Sequence, residues 1–178
     1  MEAHAPHAPP SFDAIMLPHM DAAYNLARWL LRDPHEAEDA LQDACLRAYS
    51  SLDRFRGGDG RAWLLTIVRN TCYSRMRQRR REPATEAFED EAHGSTHDPA
   101  DANASAWREA KGEMLKEALE RLPDEYREVV VLHEIEGLPY REIAVVAEIP
   151  IGTVMSRLAR ARRRLQAELL TLTGRAPS

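Results

Sequence analysis

The 178 residues predict an all-α chain, built as two small helical domains joined by a flexible acidic linker. Three observations predict it. Apolar residues recur at helical spacing through most of the chain, and no segment alternates with the period of two that strands require. The composition is 44% apolar but only 6% aromatic, and Leu, Ala and Arg are abundant, which favours helices over sheets. Between the two periodic halves lies a stretch with few large apolar residues that cannot offset its own ordering entropy. The resulting layout is a disordered leader over 1–10, a first domain over 11–81, a linker over 82–106, a second domain over 107–172 and a tail over 173–178.

In the first domain Ser11 is expected to cap a helix running towards Leu31. Asp33-Pro34-His35-Glu36 starts the next: an acid cap, Pro at the first helical position and Glu in the first turn. Ala37, Leu41, Ala44, Cys45, Ala48 and Leu52 form its apolar stripe, opposite Glu38, Asp39, Gln42, Asp43 and Arg47. Gly57, Gly58 and Gly60 break the pattern, and a third helix passes through Trp63, Leu64, Ile67 and Val68 into a run of arginines. In the second domain a helix from about Trp107 stops before Pro123, and Asp124 is expected to cap another that ends at Gly137. A short helix from Pro139 to about Glu148 comes next. After Ile149-Pro150 the last helix turns Val154, Leu158, Ala161 and Leu165 inward.

The net charge of −5 hides a strong asymmetry. Every charged residue from Arg61 to Arg81 is an arginine, and every one from Glu82 to Asp101 is an acid. Arg157, Arg160, Arg162, Arg163 and Arg164 make a second acid-free block. Two basic surfaces therefore cancel against the acidic linker in the sum while each keeps a local positive field suited to nucleic acid.

The short helix, brief turn and longer basic helix over Gly137–Leu165 have the spacing of a helix-turn-helix, whose second helix enters the DNA major groove. With Val154, Leu158, Ala161 and Leu165 inward, Thr153, Ser156, Arg157, Arg160 and Arg164 are left for bases and phosphates.

These residues carry a family resemblance. Gly137-Leu138-Pro139-Tyr140-Arg141-Glu142-Ile143-Ala144 and Ile149-Pro150-Ile151-Gly152-Thr153-Val154-Met155-Ser156-Arg157-Leu158 resemble region 4 of the extracytoplasmic-function (ECF) sigma factors of the sigma-70 family, which reads the −35 promoter element. Ala37-Glu38-Asp39-Ala40-Leu41-Gln42-Asp43 resembles the region 2 helix that grips the polymerase clamp. The resemblance places that contact on Asp39, Gln42 and Asp43. Leu52-Asp53-Arg54-Phe55-Arg56-Gly57 and Arg61-Ala62-Trp63-Leu64 through Arg69-Asn70 resemble the −10 segment. It implies a base-capturing pocket on Phe55, Trp63 and Asn70, flanked by Arg69, Arg75 and Arg77.

The resemblance implies a cytoplasmic transcription factor with no catalytic residues, cofactor, metal or small-molecule substrate. Its implied partners are core RNA polymerase (the clamp of the largest subunit and the flap of the second-largest), promoter DNA and an anti-sigma factor, membrane-anchored or zinc-containing in many family members. Two positions depart from the family pattern. Glu148 stands in the turn where Gly is common, so a left-handed backbone there would be strained, and Pro139 replaces a common Ser cap.

Other readings are weaker. Of the seven histidines, His4, His7, His93 and His97 lie in segments expected to be disordered and His19, His35 and His133 show no ligand spacing, while Cys45 and Cys72 fall on apolar faces as small core residues. No stretch reaches the ~18 apolar residues of a membrane span. A conventional DNA-binding regulator would share the helix-turn-helix but leaves the acidic first-domain helix unexplained, and a pure protein-interaction module leaves both region signatures unexplained.

Overall fold

The computed structural model describes residues 11–81 and 102–174, and all regular structure among them is helical. The predicted leader, most of the linker and the end of the tail lie outside the described residues. In chain order the helices are α1 (Phe12–Met16), α2 (Met20–Leu31), α3 (Pro34–Ser50), α4 (Gly60–Arg81), α5 (Ala102–Glu120), α6 (Asp124–Val130), α7 (Tyr140–Ala147) and α8 (Ile151–Thr173).

The single helix expected from Ser11 to Leu31 is interrupted. Ser11 does cap α1, its hydroxyl accepting from the Ala14 N–H at 3.3 Å, but Leu17-Pro18-His19 form a 3-10 turn before α2. Proline there removes an N–H and crowds the preceding turn. The α3 start is as expected: Asp33 Oδ1 accepts from the Glu36 N–H at 3.0 Å, with Pro34 at the first position. Ala37, Ala40, Ala44 and Ala48 are fully buried, and these small side chains let α3 approach α2 and α4 closely. Asp59 opens α4 by accepting from the Arg61 and Ala62 N–H groups. At Gly60 the fit is tight: a Cβ would lie 2.9 Å from Ile15 Cγ2.

In the second domain α5 begins at Ala102, inside the segment expected to be linker. The α6 start also differs from expectation. Pro123 occupies the cap position without a side-chain bond, and Asp124 pairs instead with Arg127. Arg127 is fully buried and donates to the carbonyls of Glu120 and Leu122, both at 3.1 Å, so it staples the end of α5 to α6. Burial lowers its pKa, and Asp124 offsets part of that cost. A π-helical turn over Val131–Ile135 succeeds α6, and Gly137 at φ 69° releases the chain towards α7. Val154, Leu158 and Ala161 of α8 are buried as the periodicity requires, while Leu165 is half-buried.

The two domains pack against each other. α4 lies along α7, and α2 contacts α6, so one apolar core runs from Leu26, Leu64 and Val68 to Val129, Leu132 and Ile143.

Candidate polymerase and nucleic-acid interfaces

The 3.6-residue period of α3 puts its alanines inward and leaves Asp39 and Gln42 exposed on the opposite face. Asp43 is half-buried, and Oδ2 accepts from Arg75 at 2.6 Å. Two residues assigned from sequence to different partners thus bind each other within one domain. The same face continues into Leu46 and Tyr49, which are 64% and 66% exposed. Sequence reasoning missed them, although Leu46 lies four residues beyond Gln42 and three beyond Asp43 and was legible as part of their row. An acidic and amide-bearing row ending in exposed apolar side chains suits a basic helical partner with an apolar seam.

Phe55 and Trp63 come together at 4.9 Å between ring centroids, tilted by 42°. Gly57 and Gly58, at φ 84° and 106°, turn the chain between them. The two rings line one wall of a cleft of about 500 Å³, with Arg54, Arg56 and Thr66 beside them. The opposite wall is Arg141, Glu142 and Val145 of the second domain. Burial raises the pKa of Glu142, and Asp59 across the cleft raises it further. Asn70 lies two helical turns beyond Trp63, outside the cleft lining. Its Nδ2 donates to Glu148 Oε1 at 3.4 Å.

Arg69 is drawn into the domain interface. Its Nε donates to Glu128 Oε1 at 2.5 Å, its guanidinium sits 4.4 Å from the Tyr73 ring centre, and Tyr73 Oη donates to Glu128 Oε2 at 3.1 Å. Glu128 is fully buried. Burial pushes its carboxyl pKa up, against the downward pull of Arg69 and Tyr73. Burial also disfavours the Arg69 cation, but Glu128 more than compensates and its pKa rises. Arg77, by contrast, is exposed and bonds only to Ser74 Oγ among the described residues.

On α8 the predicted face is present. Ser156 and Arg160 are exposed, and Thr153 is half-buried. Arg157 pairs with Glu125 at 3.4 Å, and Arg164 lies 5.2 Å from the Tyr126 ring centre. Arg162 points elsewhere, to Glu134 at 2.6 Å. The turn before α8 contains Glu148 in the left-handed region at φ 54°, the strained geometry anticipated where glycine would be easier.

Burial pushes the Cys72 thiol up to about 12 and raises that of half-buried Cys45. Neither is poised as a thiolate near neutral pH. No group of acidic, His or Cys side chains among the described residues has the arrangement of a metal site, and none of their helices is long and apolar enough to cross a membrane.

Two helical domains, one with an acidic helix and an aromatic cleft and the other ending in a helix-turn-helix, define a class of two-domain helical proteins among the described residues. Comparison with known proteins makes that class specific. Residues 15–82 match the model of Sigma-70 region 2, and residues 112–165 match that of Sigma-70, region 4. The ECF RNA polymerase sigma factor SigE of Mycolicibacterium smegmatis is 34% identical over 160 residues, 89% of this chain and 62% of that protein. The RNA polymerase sigma-H factor of Pseudomonas aeruginosa is 31% identical over 169 residues, 91% of this chain and 88% of the relative. The ECF RNA polymerase sigma-E factor of Escherichia coli is 33% identical over 147 residues, 79% and 77% respectively. Among solved structures, the sigma factor RpoE in complex with the anti-sigma factor NepR from Bartonella quintana has a TM-score of 0.65 at 32% identity, covering 87% of this chain and 93% of that one. CnrH in complex with the cytosolic domain of CnrY has a TM-score of 0.63 at 26% identity, covering 93% and 89%. The chain belongs to the ECF family of sigma-70 factors, which are transcription initiation factors and not enzymes.

Proposed function

We propose that the chain is the promoter-specificity subunit of a bacterial RNA polymerase, acting in the cytoplasm and held in check by an anti-sigma factor. The observation that carries this is the presence in one chain of the exposed Asp39–Gln42 face on α3 and the exposed Ser156–Arg160 face on α8. One suits the basic clamp helices of the polymerase and the other a DNA groove. In this reading Asp39, Gln42 and Asp43 meet the clamp of the largest subunit, and the second domain rests on the flap of the second-largest. Phe55 and Trp63 receive a base unstacked from the −10 element, whose cost of a few kcal/mol is offset by stacking and by contacts from Asn70, Arg69, Arg75 and Arg77. Thr153, Ser156, Arg157, Arg160 and Arg164 read the −35 element.

Control by an anti-sigma factor is supported by the two solved relatives, which are described as bound to NepR and CnrY. Their similarity covers 87% and 93% of this chain and so spans both domains.

The test is binding of the purified chain to core RNA polymerase beside an Asp39→Ala/Gln42→Ala variant. We expect tight binding by the wild type and at least a tenfold loss in the variant, with unchanged thermal stability because both side chains are exposed. A wild-type chain that ignores core polymerase yet binds duplex DNA alone at nanomolar concentration would replace this reading with that of a free-standing regulator.

A further inference from the structure

The side of α2 that its buried residues leave uncovered carries a row of its own. Asn25, Arg28, Trp29 and Arg32 recur at three- and four-residue spacing, so they share one face. Across from them stand Lys116 and Glu120 of α5, one turn apart, and the two helices enclose a cleft of about 200 Å³. Tyr24 and Trp29 are half-buried against the core, and each also helps to line the cleft. A cavity of about 150 Å³ accommodates a benzene ring, so this one has room for a planar ring system with its polar substituent at the mouth.

The charges around that space are lopsided. Arg28, Arg32 and Lys116 border it, and Glu120 is the one acid in its lining. Arg28 donates to the Arg32 carbonyl at 3.4 Å, which leaves most of its guanidinium N–H groups for another acceptor. Arg32 lies 3.9 Å from Asp124 in an exposed pair that contributes little, and Lys116 has no ion pair with any described residue. An anion is therefore favoured there. Arg32 has a further peculiarity. It ends α2 at φ 66°, a left-handed conformation that glycine adopts without strain and an arginine does not. Backbone strain kept at the rim of a cleft points to work for the side chain it carries.

We propose that the cleft between α2 and α5 is a small-molecule site for a planar aromatic anion, a nucleotide or an aromatic carboxylate. The ring lies against Trp29 and Tyr24, and Arg28, Arg32 and Lys116 hold the anionic group. Aromatic stacking and charge-assisted bonds to phosphate or carboxylate oxygens are the chemistry these side chains supply. None of them lies on the faces given to polymerase and DNA. The cleft has one wall from each domain, so an occupant binds only the arrangement in which both walls are present, and it raises Tm by mass action.

The test is isothermal titration calorimetry of the full chain with adenosine diphosphate, indoleacetate, neutral adenosine and inorganic phosphate. Arg32→Gly, Lys116→Gln, Glu120→Gln and Trp63→Ala would be titrated beside the wild type. We expect one site per chain, at which an aromatic anion binds at least about tenfold more tightly than adenosine or phosphate. The tighter of the two aromatic anions names the source. Lys116→Gln should weaken that binding about five- to tenfold, and Arg32→Gly about threefold. Arg32→Gly should do so without lowering Tm, because glycine relieves the end of α2. Glu120→Gln should tighten binding by about two- to threefold, since it removes the opposing charge, an effect that a merely structural role would not produce. Trp63→Ala should leave binding unchanged, which separates this cleft from the one at Phe55. Binding that is lost in Trp63→Ala but ignores Arg32, Lys116 and Glu120 overturns the proposal. So does phosphate or adenosine binding as tightly as the aromatic anions, and so does the absence of binding by either aromatic anion at about 1 mM.

Discussion

Arg157 and Arg160 sit one turn apart on the same face of α8 but differ in what they must give up to reach DNA. Arg160 is exposed and has no ion pair with any described residue, so its whole interaction with the −35 element would be gain. Arg157 is bound to Glu125 at 3.4 Å, with side-chain exposures of 21% and 51%. In water-like surroundings two unit charges at that separation attract by about 1 kcal/mol, and measured exposed pairs contribute about 0.2–1 kcal/mol. Arg160→Ala should therefore cost the holoenzyme about 1–3 kcal/mol of specific binding, roughly five- to 150-fold. Glu125→Gln should act in the opposite direction, strengthening binding by up to about fivefold as Arg157 is released. Arg162→Ala, on a residue turned towards Glu134, should change binding little. The assay is competition of holoenzyme between a selected −35 duplex and random duplex across a salt series. If Arg160 touches a phosphate, its loss affects all sequences equally and lowers the salt slope by about one. If it reads a base edge, the loss falls on the selected duplex. An Arg160→Ala holoenzyme equal to wild type on both duplexes, or a Glu125→Gln holoenzyme that weakens, would refute the placement of this face in the groove.

Four other perturbations have expected outcomes. Leu158→Ala, at a site 1% exposed between α8 and α6, should lower unfolding free energy by about 2–5 kcal/mol in urea titration. Trp63→Ala should leave polymerase binding intact but slow promoter opening, read by permanganate footprinting, with a loss of about 1–3 kcal/mol if one base stacks there. Leu46→Ala should leave stability within about 0.5 kcal/mol while weakening polymerase binding, because its side chain is exposed on the acidic row; Tyr49→Ala should weaken binding too but also cost about 0.5–1.5 kcal/mol of stability, since its edge-to-face contact with Phe12 is lost. In alkali the fold should weaken. Cys72 rises from 9.0 to about 12 and Tyr73 is also raised, so the folded chain keeps protons that the unfolded chain has released. Both contributions are intact below pH 9 and are lost progressively as pH rises from about 9 towards 12, which chemical denaturation across that range would read.

Much of the fold was legible because its determinants are local. The Asp33-Pro34-Glu36 start, the alanine stripe of α3, Gly137 and the inward set on α8 each depend on residues within a few turns of one another. Misreadings arose where a local signal had a competitor. Pro18 split the first helix despite unbroken apolar periodicity, and Asp124 passed over the cap because Arg127 claimed its carboxylate. The candidate sites divide in the same way. Exposure of Asp39, Gln42, Ser156 and Arg160 is a consequence of helical periodicity alone.

The domain contact could not be read in this way, and Glu128 shows why. In the string Asp124-Glu125-Tyr126-Arg127-Glu128 every acid and base looks solvated, since a buried charge is tolerable only beside a partner. The partners of Glu128 lie 59 and 55 residues away on α4, so no local pattern announces them. Glu148 left a trace. A non-glycine residue at a left-handed turn is a cost visible in sequence, and its compensation, if it has one, must lie outside the turn. Here the side chain reaches 78 residues back to Asn70. A local rule broken by one residue was thus the one sequence signal that pointed towards the domain interface.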